Sequence, residues 1–174
     1  METALYTLPP EIEAIRRAVA RLCEDFPAAY WRDADAARAY PSAFVAALTK
    51  GGYLAALIPT EYGGSGLPLV AAAAILQQVQ ESGGNGAACH AQMYMLGAIL
   101  RHGSAEQKAR YLPAIASGAL RFQAFGVTEP GSGTDTAAIR TRATRTGSGW
   151  RIRGQKIWTS RAERSDLMLL LART

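Results

Sequence analysis

The chain carries a glycine-rich stretch, FGVTEPGSGTD, at residues 125–135, and a second marked stretch, GQKIWTS, at residues 154–160. Upstream of the first stretch, apolar residues recur with helical spacing, and downstream they alternate with polar residues as in strands. The change of period falls at about Phe122. Both stretches are therefore predicted to lie in a strand-rich part that follows a helical part.

The glycine-rich stretch only partly fits a dinucleotide-binding fingerprint. Gly131 and Gly133 have the spacing of its first two glycines, but Thr136 stands where the third belongs. A strand pattern follows instead of the required helix, so a Rossmann-type site is excluded. What remains is a tight loop whose backbone N–H groups and hydroxyls suit a polar, flat or phosphorylated ligand, and equally suit a structural turn.

Strand patterns continue to the end of the chain. Apolar or small residues alternate with arginines over residues 139–146 and again over 150–153, on either side of a Gly-Ser-Gly turn, which predicts a β-hairpin. Further strands are predicted over residues 155–160 and 166–172, the latter as a buried strand because its apolar run is nearly continuous. The last strand would leave an unpaired sheet edge.

Helical signals dominate the first two thirds of the chain. The prediction is a helix opened by Pro9 and Pro10, a short helix capped by Ser42 and ended by a left-handed Gly51, and long helices over residues 68–82 and 86–101. Residues 24–40 carry no periodic signal that assigns an element. The proline and glycines of residues 58–66 predict an ordered loop. Ser104 and Gln107 form a capping box for a helix through Tyr111, and Pro113 is expected to begin another turn.

Bulk composition bounds the class of protein. The 174 residues are 49% hydrophobic and 19% charged, a globular balance without an apolar run long enough to span a membrane. No secretory signal precedes the first helix, which predicts a cytoplasmic protein. Cys23 and Cys89 match no metal-ligand spacing and are expected to be buried or free thiols in a reducing compartment.

The net charge of +5 is concentrated in the predicted hairpin, at Arg140, Arg142, Arg145, Arg151 and Arg153. No RNA-binding aromatic motif or zinc-finger spacing accompanies these arginines, so nucleic-acid binding is not expected. We interpret most of the run as one solvated strand face, with contacts to nucleotide or CoA phosphates as the alternative.

Four ordered motifs resemble those of the acyl-CoA dehydrogenase family. The stretches at residues 125–135 and 154–160 resemble its paired flavin-binding signature, IPTEYGGSG at residues 58–66 resembles its IPxEYGGxG loop, and GSAEQK at residues 103–108 resembles its GxxEQK helix start. The resemblance implies an α+β multidomain protein: an all-α helical bundle at residues 1–122, then the start of an all-β, barrel-like middle domain at residues 123–174. The chain would stop before the C-terminal helical domain of the family.

The resemblance also implies FAD as cofactor and an acyl-CoA as substrate. The residues that it assigns to the flavin site are Phe125, Val127, Thr128, Gly133, Thr134, Trp158, Thr159 and Ser160, with Thr134 also next to the CoA portion of the substrate. Residues 161–164 depart from the Asn-Gly turn that is frequent in the family. For Trp158 and Thr128 the structural alternatives are a core position on a strand and a turn-shaping role.

The helix used by the family for the acyl tail corresponds to residues 86–101. Ala87, His90, Ala91 and Tyr94 would share one face of it and line the acyl pocket, where a histidine and a tyrosine suit a short or functionalised acyl group. A hydrogen-bonded core position is the alternative for His90.

The reaction that the resemblance implies is α,β-dehydrogenation of an acyl-CoA, in which a carboxylate removes the α-proton. In the family this glutamate belongs to the C-terminal domain, and no residue here matches it. Glu61, Glu129 and Glu163 are nearby acids to which the family assigns no such role, so no catalytic residue and no metal ligand is assigned.

Expected partners are electron-transferring flavoprotein as acceptor and further copies of the full-length protein, as a dimer or tetramer. Two alternatives stay open: a non-catalytic binding or assembly subunit that partners a complete homologue, and a related acyl-CoA oxidase or flavin monooxygenase.

Overall fold

A computed structural model describes residues 8–174 of the chain. Within them, six α-helices precede four short β-strands, which confirms the predicted order of a helical part followed by strands. The helices are α1 (Pro10–Glu24), α2 (Ala28–Ala36), α3 (Ser42–Lys50), α4 (Leu69–Glu81), α5 (Ala87–His102) and α6 (Ala105–Ser117), and the strands are β1 (Ala124–Gly126), β2 (Arg142–Thr146), β3 (Gly149–Arg153) and β4 (Met168–Leu170). Two compact units result: a helical unit ending at Ala119 and a β unit spanning Leu120–Thr174.

The helical unit is built on an apolar core to which α1, α3, α4 and α5 each contribute one face. Val19, Phe44, Leu48, Ile75 and Met95 are completely buried. Residues of this size contribute roughly 1.5–3 kcal/mol each when they leave water. Hydrophobic burial therefore accounts for the stability of this unit.

No described helix is long and apolar enough to cross a membrane.

Helix α2 occupies the segment to which the sequence pattern assigns no element. It has no buried residue of its own. Its Tyr30 and Trp31 instead belong to an aromatic cluster, in which the rings of Phe26 and Trp31 meet Phe44 edge to face at 5.1 and 4.9 Å. The indole N–H of Trp31 donates to the carbonyl of Phe26 at 3.0 Å. Aromatic packing holds α2 in place, which explains why helical periodicity does not reveal it.

Three predicted helix ends differ from the structure. Pro41, not Ser42, is the N-cap of α3, and the Ser42 hydroxyl makes no capping bond. Gly51 has a right-handed φ of −73°, and Gly52, at +76°, takes the left-handed position. Pro113 begins no new turn, because α6 continues through it. The buried side chains of Leu112 and Ile115 on either side of Pro113 offset the missing helical hydrogen bond.

Two local predictions in the helical unit are confirmed. In the capping box of α6, the Gln107 N–H donates to Ser104 Oγ at 3.1 Å and the Ser104 N–H donates to Gln107 Oε1 at 2.9 Å. The loop at residues 58–66 is ordered, with one 3-10 turn at Thr60–Tyr62. Gly64 is required there, since a Cβ would lie 2.1 Å from the carbonyl oxygen of Ile58. Cys23 and Cys89 are free and buried, and burial raises the pKa of the Cys23 thiol.

The β unit contains two separate strand pairs. β2 and β3 form the predicted antiparallel hairpin, although β2 begins only at Arg142, after a 3-10 turn at Thr136–Ala138. β1 and β4 pair in parallel. One strand prediction is wrong, and another is confirmed only in part. Residues 155–160 are irregular. Of residues 166–172, only Met168–Leu170 form a strand, and Met168 and Leu171 are 44% and 38% exposed instead of buried.

The hairpin arginines are exposed as predicted, but they do not share one face. The pairing places Arg142 opposite Arg153 and Arg145 opposite Trp150, and these two pairs lie on opposite faces. An isolated parallel bridge to Arg173, which lies outside the four strands, extends the first pair into an arginine row: Arg153, Arg142 and Arg173. Within residues 8–174, no salt bridge involves this row.

Candidate functional site

The two marked stretches of sequence meet inside the β unit. The Ile157 N–H donates to the carbonyl of Thr128 at 2.9 Å. The ammonium group of Lys156 donates to the carbonyl of Val127 at 2.8 Å. These bonds hold the backbone of residues 156–157 against the backbone of residues 127–128, although about thirty residues separate the two stretches.

A buried carboxylate lies at the centre of this junction. Glu129 is 6% exposed and forms a salt bridge of 2.8 Å with Lys156. Its two carboxylate oxygens accept the backbone N–H groups of Arg140 at 2.5 Å and Thr141 at 2.8 Å. The Lys156 ammonium is the largest cause that lowers the pKa of Glu129, to about 2, and donors on Thr141 and Arg140 add to it. Glu129 therefore remains ionised over the whole physiological pH range.

The turn that follows Glu129 is tight and leaves its glycines uncovered. Glu129 and Ser132 exchange backbone hydrogen bonds of 2.8 and 3.1 Å, and the Ser132 hydroxyl donates to the Asp135 carbonyl. No atom lies within 4 Å of a Cβ built at Gly131 or Gly133, and neither glycine has a positive φ. The fold itself does not require glycine at these two positions, in contrast to Gly64. Thr134 beside them is exposed.

Trp158 is not a core residue on a strand. Its side chain is 85% exposed, and its backbone has a left-handed φ of 60°. Thr159 is half-buried and Ser160 is exposed. Arg161 is also left-handed, with φ 59°, so this arginine takes a conformation that asparagine and glycine adopt more readily. Residues 161–164 lack the Asn-Gly turn, but they still contain a residue with a left-handed backbone, Arg161.

The remaining residues that the resemblance assigns to a flavin site are close to the same junction. Phe125 lies on β1, opposite Leu169 of β4, and is half-buried, as are Val127 and Thr128. On the other side of Glu129, a cavity of about 210 Å³ opens between the Glu129–Gly131 turn and residues 154–155. All eight predicted flavin-site residues belong to the β unit, and all eight lie in the two stretches that the Thr128–Ile157 bond joins.

The predicted acyl-pocket residues lie on α5 of the helical unit. Ala87, His90 and Tyr94 are exposed, and the rings of His90 and Tyr94 pack with their centroids 5.0 Å apart. A core position for His90 is therefore wrong. Ala91 differs from the prediction, since it is completely buried. The i+4 spacing from Ala87 turns it far enough toward the core that it does not share the exposed face.

None of the three acids considered has the environment of a general base. Glu61 and Glu163 are exposed on short 3-10 turns. A base must have a pKa near the working pH, and Glu129, at about 2 with its oxygens occupied, does not. Among the described residues no group of three or more acids, histidines and cysteines could hold a metal ion.

Sequence reasoning did not find the role of Glu129 and Lys156. Both residues stand inside the marked stretches, but neither charge pattern nor spacing pairs two groups 27 residues apart. The sequence gives one indication: each is a charged residue in a segment whose pattern does not provide a solvent-exposed helix or strand face. The structure shows that they bind each other.

Comparison with known proteins identifies the family. Residues 9–119 match the acyl-CoA dehydrogenase N-terminal domain, and residues 124–174 match the acyl-CoA dehydrogenase middle domain. Acyl-CoA dehydrogenase FadE12 of Mycobacterium tuberculosis is 32% identical over 165 residues, which cover 94% of this chain and 42% of that protein. (2S)-Methylsuccinyl-CoA dehydrogenase of Cereibacter sphaeroides is 33% identical over 171 residues, 96% of this chain and 31% of that protein.

Solved structures agree. The crystal structure of acyl-CoA dehydrogenase from Geobacillus kaustophilus superposes with a TM-score of 0.86 at 25% identity, over 97% of this chain and 44% of that one. The chain belongs to the acyl-CoA dehydrogenase family. It spans less than half the length of the relatives named here.

Proposed function

We propose that the chain supplies the flavin-binding middle segment and the helical unit of an FAD-dependent enzyme that removes the α and β hydrogens of an acyl-CoA thioester. The observation that carries the proposal is the junction at Thr128–Ile157, beside which an exposed indole and two uncovered glycines lie in one compact unit. Family membership supports the reaction class, and the junction supports the proposed position of the flavin site.

The residues present fit a flavin. An indole that is 85% exposed is an apolar plane without a partner, which a flat ring system covers well. Gly131 and Gly133 leave the space that a close ligand needs, and hydroxyls at Thr128, Thr134 and Ser160 provide hydrogen bonds to polar edges. When bound, FAD supplies the hydride acceptor.

The assignment of individual side chains follows the family resemblance, and we propose it on that basis. Trp158 packs on the ring system, and Phe125, Val127, Thr128, Thr159 and Ser160 border it. Gly133 and Thr134 lie where the cofactor and the CoA portion of the substrate meet.

On α5, we propose that Ala87, His90 and Tyr94 contact the acyl group, with Ala91 packing beneath them. The polar rings of His90 and Tyr94 favour a short or functionalised acyl chain over a long saturated one. Rates with a series of acyl-CoAs test this assignment, and a clear preference for long saturated chains would contradict it.

The α-proton needs a positioned carboxylate, and none of Glu61, Glu129 and Glu163 provides one. We propose that this base lies outside the 174 residues, so that the chain alone does not dehydrogenate acyl-CoA and binds FAD weakly or not at all. Without positioned proton transfer the rate falls by roughly 10² to 10⁴. The test is to saturate residues 1–174 with FAD and follow flavin bleaching by acyl-CoA without oxygen. Stoichiometric bleaching would show that a carboxylate of this chain acts as the base.

The wider context of the reaction is proposed on the same basis. Electrons pass to electron-transferring flavoprotein, the full-length protein is a homo-oligomer, and it works in the cytoplasm, where two free buried thiols persist. Turnover with that acceptor, compared with oxygen consumption, separates a dehydrogenase from an oxidase or monooxygenase. A full-length protein without any turnover would favour the assembly-subunit alternative.

The flavin site itself is tested by substitution in the full-length protein. Trp158→Ala and Thr128→Ala each remove a ring contact or a hydrogen bond, and we expect flavin affinity to fall roughly two- to tenfold for each. Flavin content after purification and a flavin titration are the measurements. Trp150→Ala is the matched control, because Trp150 is an exposed tryptophan of the same unit outside both stretches. Equal flavin occupancy in all three variants would show that the site is elsewhere.

A further inference from the structure

The salt bridge between Glu129 and Lys156 differs from the others in the described part of the chain. Its side chains are 5% and 8% exposed, whereas both side chains of every other salt bridge there are at least 22% exposed. A buried ion pair adds little to stability compared with well-packed apolar residues, because both charges must leave water. Its value must therefore be sought in the geometry that it imposes.

Three segments of the β unit converge on this pair. Lys156 binds Glu129 and the Val127 carbonyl, which fixes residues 154–157 to residues 127–129. The carboxylate of Glu129 accepts the N–H groups of Arg140 and Thr141, which fixes residues 140–141 to the same place. A Cβ at Gly154 would lie 2.2 Å from Thr141 Oγ1, so residues 140–141 also pack directly on the backbone that leads to Lys156. One carboxylate thus fixes residues 127–129, 140–141 and 154–157 together.

The neighbouring Trp158 needs such a restraint. A left-handed φ is unfavourable for a residue other than glycine. Strained residues keep their conformation only where their surroundings determine it. The Trp158 indole is 85% exposed and has little packing to hold it. The preceding backbone supplies a restraint, because the Ile157 N–H donates to the Thr128 carbonyl, next to Lys156 and Glu129 in the chain.

We propose that Glu129 and Lys156 are positioning residues of the flavin site, which hold Trp158 and Thr128 at a fixed separation without touching the flavin. This inference rests on the proposed function and names the device that shapes the site. It predicts that losing the pair loosens the Ile157–Thr128 bond and the flavin contacts together, and that a cation of similar reach at position 156 restores both.

The test compares five forms of the full-length protein: unsubstituted, Lys156→Met, Lys156→Arg, Glu129→Gln and a control variant, Lys50→Met. Hydrogen exchange at the amides of Ile157, Arg140 and Thr141 reports the junction, and a flavin titration with the flavin absorption spectrum reports the site. We expect Lys156→Met to speed exchange at Ile157 and weaken flavin binding by roughly tenfold or more, since bonds to charged groups are the strong ones. Lys156→Arg should retain most of the slow exchange at Ile157 and most of the flavin affinity. Lys50→Met, at the exposed end of α3, is the matched control and should change neither.

The pH dependence of amide exchange adds a measurement that simple destabilisation would not change. The pKa of Glu129 is lowered from 4.5 to about 2. Its contribution to the junction is therefore complete above pH 4.5 and is lost as pH falls through about 2. Protection of the Arg140 and Thr141 amides should follow that window. In Lys156→Met the loss should begin at higher pH, and in Glu129→Gln, which also serves if Lys156→Met does not fold, the dependence should disappear.

The outcomes separate this inference from the function on which it rests. If the unsubstituted protein binds no flavin, the proposed function fails and this inference fails with it. If flavin binding is normal and Lys156→Met or Glu129→Gln changes neither exchange nor flavin affinity, this inference alone is overturned. Faster exchange with unchanged flavin affinity would also overturn it, because the pair would then serve the fold and not the site.

Discussion

The helical unit and the β unit are held together by different forces. Of the buried hydrophobic residues in the described part of the chain, only Phe122, Ala124 and Ile139 belong to the β unit. The buried polar residues are distributed the other way: Gln123, Glu129, Ser132 and Thr141 lie in the β unit, and only Gln92 lies in the helical unit. The helical unit is organised around an apolar core, and the β unit is organised around hydrogen bonds and a buried ion pair.

This difference shows how the two units divide stability and geometry. Apolar burial is non-directional and scales with area, so the helical unit tolerates local variation as long as its core is filled. Hydrogen bonds to a buried carboxylate depend on direction and distance, so the β unit depends on a few exact contacts. The proposed flavin contacts belong to the β unit, whose geometry is fixed by direction-dependent hydrogen bonds.

The largest effect is expected from emptying the apolar core. Phe44→Ala removes a completely buried ring that Phe26 and Trp31 contact edge to face. We expect a loss of about 3–5 kcal/mol in the free energy of unfolding, measured by urea denaturation. Leu69→Ala is the control, because Leu69 is 73% exposed, and it should change that free energy by less than about 0.5 kcal/mol. A similar loss in both variants would show that the helical core is not what stabilises this unit.

A smaller effect is expected in the β unit from an added methyl group. Gly154→Ala places a Cβ 2.2 Å from Thr141 Oγ1 and 2.6 Å from its Cα, so the backbone must shift. Overpacking of this kind costs about 1–3 kcal/mol. Amide exchange across residues 120–174 should accelerate while the helical unit is unchanged. Gly147→Ala, with no atom within 4 Å of the new Cβ, is the control. Equal exchange in the two variants would contradict the close contact with Thr141.

The smallest effect concerns helix ends. Ser104→Ala removes the side-chain acceptor for the Gln107 N–H and should cost about 1 kcal/mol in thermal or urea unfolding. Ser42→Ala, also at a helix start, should cost only a few tenths, because Pro41 occupies the N-cap and the Ser42 hydroxyl makes no capping bond. If Ser42→Ala proved as costly as Ser104→Ala, the position of the α3 cap in the structure would be wrong.

The predictable parts of the fold are those that local chemistry determines. Sequence signals identify the start of α1 and both ends of α4 and α5 within about two residues, the capping box marks the start of α6, and arginine alternation identifies the hairpin. Helix α2 is not predictable in this way, since it has no buried residue and is held by the contact of the Trp31 ring with Phe44 and by the bond that the Phe44 N–H donates to the Tyr30 hydroxyl.

The site was predictable only in part, for a related reason. Residues 155–160 alternate like a strand, but tertiary contacts decide the outcome: Lys156 turns inward to Glu129, and Trp158 turns outward with a left-handed backbone. Ala91 shares its helical spacing with Ala87, yet it is buried, because the width of an exposed face depends on what packs against the helix. The resemblance indicated two stretches of chain that meet in the structure, and only the structure shows which of their residues bind each other.

The arginine row gives the two units opposite responses to ionic strength. Arg153, Arg142 and Arg173 stand on adjacent backbone segments, about 4.8 Å apart in backbone spacing, and repel one another. Dissolved ions screen exposed charges over a Debye length of about 10 Å at 0.1 M salt. Added salt should therefore relieve the row and stabilise the hairpin, while it weakens the exposed attraction between Arg16 and Glu81 in the helical unit. Low-salt buffers would loosen first the strands next to the proposed flavin site.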